Sequence, residues 1–171
     1  MMNLKRHIKN MLLYLLMAGC SSLFVGCSLN DSDESSQGEL LVVGDRVPQF
    51  SVDVVNADGT TSTFSTERLT GETVIVLFHT TCPDCQRELP KLNQYYLQHK
   101  NQQGFQMVAI SRAEGQESVA AYWQEQGLQI PYSAQQDRGI YNLFATSIIP
   151  RVYFCTSQGI ITKIYIEKLD Y

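Results

Sequence analysis

The sequence is poor in the residues on which several classes of protein depend. Its 171 residues include five cysteines, five prolines and a single tryptophan. Five scattered cysteines are too few for a disulfide scaffold. The 13 basic and 17 acidic residues give a formal net charge of −4, which argues against a nucleic-acid partner. The length of 171 residues predicts one folded domain, large enough for a substantial core, with a leader before it.

The leader is predicted to be residues 1–27, a lipoprotein signal peptide. A basic start at residues 5–9 precedes an apolar stretch at residues 11–26, and Gly-Cys pairs end at Cys20 and at Cys27. In bacterial lipoprotein signals, which this stretch resembles, such a cysteine is lipidated and becomes the new N-terminus. We favour Cys27 over Cys20 because the apolar character stops at Ser28. An uncleaved membrane helix is the alternative, although the stretch is short for one.

Two further segments follow the leader. Residues 28–40 are polar, acidic and without periodicity, which predicts a disordered tether. Residues 41–171 are predicted to form the folded domain. A domain that follows such a leader is expected outside the cytoplasm, lipid-anchored to a membrane of the cell envelope and facing the periplasm.

Residues 73–90 contain the strongest chemical signal. An apolar, β-branched run at residues 74–78 predicts a buried strand, and Cys85, Leu89 and Leu92 recur at the spacing of one helix face. The Cys82-Pro83-Asp84-Cys85 motif therefore lies at a helix N-terminus, where free N–H groups favour a thiolate at Cys82. Pro83 suits the first helical turn, and Pro90 is expected to kink the helix. This layout predicts a dithiol redox site.

The rest of the domain reads as alternating strands and helices. Strands are predicted at residues 50–56 and 60–64 around an Asp-Gly turn, and at residues 105–111. A helix is predicted at residues 117–126, followed by a short connection from residue 132 and a helical turn at residues 137–145. Residues 151–156 and 160–166 predict a terminal hairpin. A parallel β-α-β core with a closing hairpin is an α/β sandwich.

Several ordered motifs resemble one family. They are the entry segment 44–50, the turn 56–59, the Cys82–Cys85 motif with Glu88 and Pro90, the Ile148-Ile149-Pro150 loop, and the last turn 157–159. Over residues 43–166 the chain resembles the TlpA/ResA-like group of membrane-tethered thiol–disulfide oxidoreductases. The resemblance implies a thioredoxin-like fold, with a central mixed sheet, flanking helices and an N-terminal β-hairpin extension. The C-terminal helix usual in that fold is expected to be missing, because the sequence stops at Tyr171.

The resemblance also implies roles for site residues. Cys82 is the expected nucleophile, Cys85 resolves the mixed disulfide, and Glu88 assists proton movement. Ile149 and Pro150 form the expected substrate-binding loop, with a cis peptide bond before the proline. No cofactor and no metal ligand set are expected.

Residues around the motif are expected to modify this chemistry. Thr81 stands where the group commonly has tryptophan, and it is expected to border the substrate. Pro83 and Asp84 are expected to tune the couple, Asp84 through like-charge repulsion of the thiolate. His79 is expected to be a solvated polar residue, and Cys155, in an apolar strand, a small buried hydrophobe.

The predicted activity is reduction of disulfides in extracytoplasmic proteins, with electrons from a membrane partner. An oxidant or isomerase of the same fold is the main alternative. A peroxiredoxin is disfavoured because its P-x-x-x-T-x-x-C signature needs proline at Ile75 and threonine at His79. A copper carrier is disfavoured because it needs a metal-binding histidine and usually a wider cysteine spacing.

Overall fold

The computed structural model describes residues 40–170, so the predicted signal peptide, Cys27 and almost the whole tether lie outside the described residues. The described part forms a seven-stranded mixed sheet in the order β2-β1-β5-β4-β3-β6-β7. The elements are β1 Ser51–Val55, β2 Thr61–Ser65, β3 Thr73–Phe78, α1 Pro83–His99, β4 Gln106–Ser111, α2 Gln116–Gln126, β5 Tyr132–Ser133, a 3-10 turn Tyr141–Leu143, β6 Arg151–Cys155 and β7 Ile161–Ile166.

Strand β3 is the centre of the sheet. All six of its residues are buried, which explains its continuous apolar run, since a strand covered on both faces has no polar side to alternate with. It pairs in parallel with β4 and antiparallel with β6. The predicted thioredoxin-like α/β fold is confirmed, with β1 and β2 as the N-terminal hairpin.

Helix α1 follows β3 directly and positions the Cys-x-x-C motif. It begins at Pro83, immediately after Cys82, and buries Cys85, Leu89 and Leu92 against the sheet. The helix continues through Pro90 to His99, although Pro90 has no N–H to donate to the carbonyl four residues earlier. The helix N-terminus, with its free N–H groups, therefore lies at the motif.

Two predicted connections differ in the structure. The segment after residue 131 contains β5, which pairs in parallel with β4 and antiparallel with β1, and so joins the hairpin to the central sheet. Two residues are too few to show strand periodicity in a sequence. The helical turn predicted for residues 137–145 is shorter, a single 3-10 turn at Tyr141–Leu143.

The segment after β7 packs against α1. Leu169 is 5% exposed, and its N–H donates to Glu88 Oε2 at 3.3 Å. Arg87 Nη2 donates to the carbonyl of Glu167 at 3.3 Å. The described residues contain no helix after β7, and none of the helices in residues 40–170 is long and apolar enough to cross a membrane.

Candidate active site

The two cysteines lie one helix turn apart but differ in accessibility. Cys82 precedes α1, where its N–H donates to the carbonyl of His79 at 3.1 Å, and it is half-buried. Cys85, three residues later on the buried face of α1, is 0% exposed. An incoming disulfide can therefore reach Cys82, while Cys85 is reached from within the protein.

The loop before β6 lies against the accessible sulfur. Cys82 Sγ donates to the carbonyl of Ile149 at 3.5 Å, and the Ile149–Pro150 peptide bond is cis, as the resemblance implies. Tyr141 and Arg151 hold this loop through hydrogen bonds to its backbone. The Tyr141 hydroxyl donates to the carbonyl of Ile148 at 3.0 Å, and Arg151 Nε donates to it at 3.3 Å. The structure thus brings Cys82, Ile149 and Pro150 together.

Burial sets the protonation of the second thiol. It raises the pKa of Cys85 far above the ordinary thiol value, although a backbone hydrogen bond from His79 and the positive charge of Arg112 act in the opposite direction. Burial also raises the pKa of Cys155 to about 12, which agrees with its predicted role as a buried hydrophobe. Cys85 is therefore a neutral thiol at rest, and it must lose its proton when it attacks.

The two buried thiols should make the reduced protein less stable at alkaline pH. In the unfolded chain a thiol has a pKa of about 8.5. In the folded protein the pKa of Cys155 is about 12, and the pKa of Cys85 is also raised. Above the unfolded pKa the folded state binds more protons, so the free energy of unfolding falls as pH rises, by about 1.4 kcal/mol per pH unit for each thiol. Urea denaturation of wild type and Cys155→Ala across this range should show a shallower slope for the variant. Equal slopes would contradict the prediction.

Asp84 is half-buried and already paired. Its Oδ1 lies 2.7 Å from Arg87 Nη2, one helix turn further on. This cation offsets much of the negative charge that Asp84 presents to the Cys82 thiolate.

We therefore expect Asp84→Asn to raise the reduction potential only slightly, by less than about 20 mV, because an exposed ion pair is worth at most about 1 kcal/mol and about 1.4 kcal/mol corresponds to 30 mV. Arg87→Gln should lower the potential by a comparable amount, because it exposes the thiolate to an uncompensated carboxylate. Equilibration with glutathione mixtures measures both. If the reduction potential shifts in the same direction in both variants, Asp84 does not tune the Cys82–Cys85 couple.

Glu88 is fully buried and ion-paired. Its carboxylate lies 2.9 Å from Arg87 Nε and 2.9 Å from Lys91 Nζ, and it accepts the N–H of Leu169. Burial alone would raise the pKa of Glu88, but the hydrogen bonds from Lys91 and Arg87 outweigh it and lower the pKa. The carboxylate is therefore anionic at neutral pH, and its role in proton movement stays a prediction.

Thr81 and Pro83 flank the nucleophile on its solvent side. Both are exposed. The Thr81 N–H donates to His79 Nδ1 at 3.2 Å, so the threonine is held close to the histidine that begins the loop. Cys82 therefore lies between two small exposed residues, which leaves space for a substrate beside the sulfur.

Glu114 is a site residue that the sequence analysis missed. It lies in the loop after β4 and is 7% exposed. Its carboxylate accepts the Thr80 N–H at 2.8 Å and the Thr80 hydroxyl, and Oε2 lies 3.5 Å from His79 Nδ1. The His79 side chain is 28% exposed, so it is less solvated than the sequence suggested. Because parallel strands β3 and β4 end at the same sheet edge, an acid just after β4 could have been placed near the motif.

A match to a family model covers most of the domain. The model described as the AhpC/TSA family matches residues 43–164. The chain belongs to the AhpC/TSA family.

This AhpC/TSA member is also similar to proteins with a named activity. It is 25% identical over 134 residues to the thiol-disulfide oxidoreductase ResA of Oceanobacillus iheyensis, across 78% of this chain and 69% of the relative. A solution structure of a candidate protein disulfide isomerase from Bacteroides thetaiotaomicron has a TM-score of 0.70 at 22% identity, covering 80% of this chain and 86% of that one.

A third similarity supports the same fold. The thiol:disulfide interchange protein of the thioredoxin family from Chlorobium tepidum has a TM-score of 0.59 at 23% identity, over 73% of this chain and 87% of that one. Together with the Cys82–Cys85 geometry, the similarity to ResA identifies this AhpC/TSA member as a thiol–disulfide oxidoreductase. The two solved structures support its thioredoxin fold.

Proposed function

We propose that the protein reduces disulfide bonds of extracytoplasmic proteins. One observation carries the proposal: Cys82 is accessible, immediately precedes helix α1 and contacts the cis-proline loop, while Cys85 is buried one turn further along the helix. In such a pair the accessible sulfur attacks the substrate disulfide, and the buried sulfur then resolves the mixed disulfide. Nothing in this arrangement requires a cofactor to move the two electrons.

The exchange has two balanced steps. The Cys82 thiolate attacks one sulfur of the substrate disulfide, which forms a mixed disulfide and releases the other substrate sulfur as a thiolate. Cys85 then gives up its proton, and its thiolate attacks Cys82 Sγ, which releases the second substrate thiolate. The substrate has gained two electrons and the domain leaves with a Cys82–Cys85 disulfide. Ile149 and Pro150 lie where an extended substrate segment could pair with the loop in a β-like manner.

Residues around the pair have proposed supporting roles. Glu88 assists proton movement during exchange, for which the supporting observation is its burial one turn after Cys85. Pro83 shapes the first helical turn, Asp84 tunes the thiolate, and Thr81 borders the bound substrate. A reductase in an oxidising compartment needs electrons, so we propose a membrane partner as the donor.

A lipid anchor at Cys27 is part of the proposal. It rests on the Gly26-Cys27 pair and on the abrupt change to polar residues at Ser28. The intact mass of detergent-extracted protein should correspond to a chain that starts at a lipid-modified Cys27. A chain that starts at Cys20, or an unmodified full-length chain, would contradict this part alone.

Stoichiometric exchange tests the proposed direction. Pre-reduced domain mixed with a disulfide-bonded model protein should reduce about one disulfide per domain, and Cys82→Ser should reduce none, because the accessible thiol is missing. The matched experiment mixes oxidised domain with the same model protein in reduced form. Oxidation that runs faster and further than reduction would place the protein among the oxidants or isomerases. Rapid consumption of peroxide would instead favour a peroxidase.

A further inference from the structure

Two arginines pack against one tyrosine beside the active-site loop. The Arg112 guanidinium carbon lies 5.1 Å from the centre of the Tyr141 ring, and that of Arg138 lies 4.8 Å from it. Tyr141 is buried, and both arginines are half-buried. Like charges this close repel each other, since they lie within a Debye length. Within residues 40–170, neither guanidinium forms an ion pair with an acidic side chain.

The nearby acids are engaged elsewhere. The Glu114 carboxylate accepts two hydrogen bonds from Thr80, and Asp137 Oδ1 accepts the N–H of Gly139 at 2.7 Å. Arg138 itself donates to neutral acceptors, the Asn142 side-chain oxygen at 3.3 Å and the carbonyl of Thr146 at 2.8 Å. Neutral acceptors orient a guanidinium without cancelling its charge. The arginine pair, Arg112 and Arg138, is therefore held in place by these hydrogen bonds and by the Tyr141 ring, without a direct ion pair.

The arginine pair is connected to the reacting sulfur through Tyr141 and one loop. The Tyr141 hydroxyl donates to the carbonyl of Ile148, and the carbonyl of the next residue, Ile149, accepts from Cys82 Sγ. The ring that supports both arginines thus contacts the same loop that contacts the nucleophile. The positive charge of Arg112 acts on Cys85, one helix turn from Cys82, so a peptide joined to Cys82 by a mixed disulfide is expected to experience the same charge.

The whole chain is acidic, with 17 acidic and 13 basic residues. The positive charge of the arginine pair is therefore a local feature of the protein and not a property of the whole chain. Arginines without a direct ion pair, beside the active-site loop of an acidic protein, favour a negatively charged partner through complementary potential. Their effect is expected on the rate of encounter and on the choice of substrate more than on the chemistry of exchange.

We propose that Arg112 and Arg138 select disulfide substrates that carry an acidic residue next to the reacting cysteine. The proposal rests on the proposed function, because it concerns which disulfides the Cys82–Cys85 pair reduces. The partner is therefore an acidic segment of a disulfide-bonded protein, held in an extended form along the loop 148–150.

Three synthetic disulfide peptides test the proposal. They differ only in the residue next to the cysteine, which is glutamate, glutamine or lysine, and the measured quantity is the second-order rate constant for reduction by pre-reduced protein. At low salt, wild type should reduce the glutamate peptide about three- to tenfold faster than the lysine peptide, and the ratio should shrink as salt is added. The double variant Arg112→Gln/Arg138→Gln should give a ratio near one.

A variant that removes one exposed arginine controls for net charge against Arg138→Gln, which removes the same single charge. Arg68 is exposed and lies between β2 and β3, so Arg68→Gln removes one positive charge away from the arginine pair. It should keep the wild-type ratio. If the double variant does not fold, Arg138→Gln alone should still lower the ratio, because it removes half of the pair's charge. The ratio between peptides is the readout because any general effect of Arg112 on Cys85 cancels in it.

The outcomes separate this inference from the function on which it rests. Equal rates for the three peptides, a preference for lysine, or an unchanged ratio in folded Arg138→Gln would overturn the arginine selection and leave the reductase proposal standing. Failure of wild type to reduce even the glutamine peptide would overturn both.

Discussion

Replacing Cys85 with serine should turn the protein into a covalent trap for its substrates. Cys82 in that variant can still attack a disulfide, but the mixed disulfide has no internal thiol to resolve it. The effect should be close to complete loss of turnover, with mixed disulfides accumulating on non-reducing gels of envelope extracts. The expectation follows from the different depths of the two sulfurs, since Cys82 is the only accessible one of the three cysteines in residues 40–170.

Cys82→Ser is the matched control, because it keeps one thiol of the pair in the same helix. The remaining Cys85 is fully buried and its pKa is raised by that burial, so it should trap almost nothing. In the double variant Cys85→Ser/Cys155→Ser, which also lacks the other buried thiol, Cys82 should still trap substrates. Equal trapping by the Cys82→Ser and Cys85→Ser variants would contradict the assignment of nucleophile and resolving residue.

Glu114→Gln should destabilise the protein by about 1–3 kcal/mol and slow disulfide reduction. The carboxylate accepts both the N–H and the hydroxyl of Thr80, two residues before the nucleophile. A glutamine of the same shape has only one acceptor oxygen, and its NH2 group would then face one of these donors. We expect the loop that presents Cys82 to lose its fixed position, so the rate constant should fall together with the free energy of unfolding.

Glu117→Gln is the control for this prediction. Glu117 lies in the first turn of α2, is exposed, and loses the same charge on substitution. Exposed substitutions of this kind usually change the free energy of unfolding by less than about 0.5 kcal/mol. Urea denaturation and peptide reduction should therefore separate the two variants. If Glu114→Gln behaves like Glu117→Gln in both measurements, Glu114 does not hold the active-site loop.

The sequence predicts the centre of this fold well because local and global signals agree there. The run at residues 74–78 is buried on both faces, and Cys85, Leu89 and Leu92 mark the covered face of α1, so strand, motif and helix could be located within a few residues. The cis bond before Pro150 was implied only by resemblance, since most bonds before proline are trans.

The remainder depends on contacts between residues far apart in the chain. Glu114 accepts hydrogen bonds from Thr80, 34 positions earlier, and Arg112 packs against the distant Tyr141, so neither contact has a local pattern in the sequence. The two-residue strand β5 is defined by its partners rather than by its own residues. The ion pair of Asp84 with Arg87 is the exception, because a spacing of three on a helix predicts it.

The reduction potential of the Cys82–Cys85 couple tests the reductase proposal most directly. Stabilising a thiolate makes a couple more oxidising, and here burial keeps Cys85 a neutral thiol. Equilibration of the protein with a series of glutathione mixtures should therefore give a reducing value, nearer thioredoxin's roughly −270 mV than the roughly −120 mV of the strong oxidant DsbA. A value above about −180 mV, where protein disulfide isomerase lies, would contradict the proposed direction of electron flow.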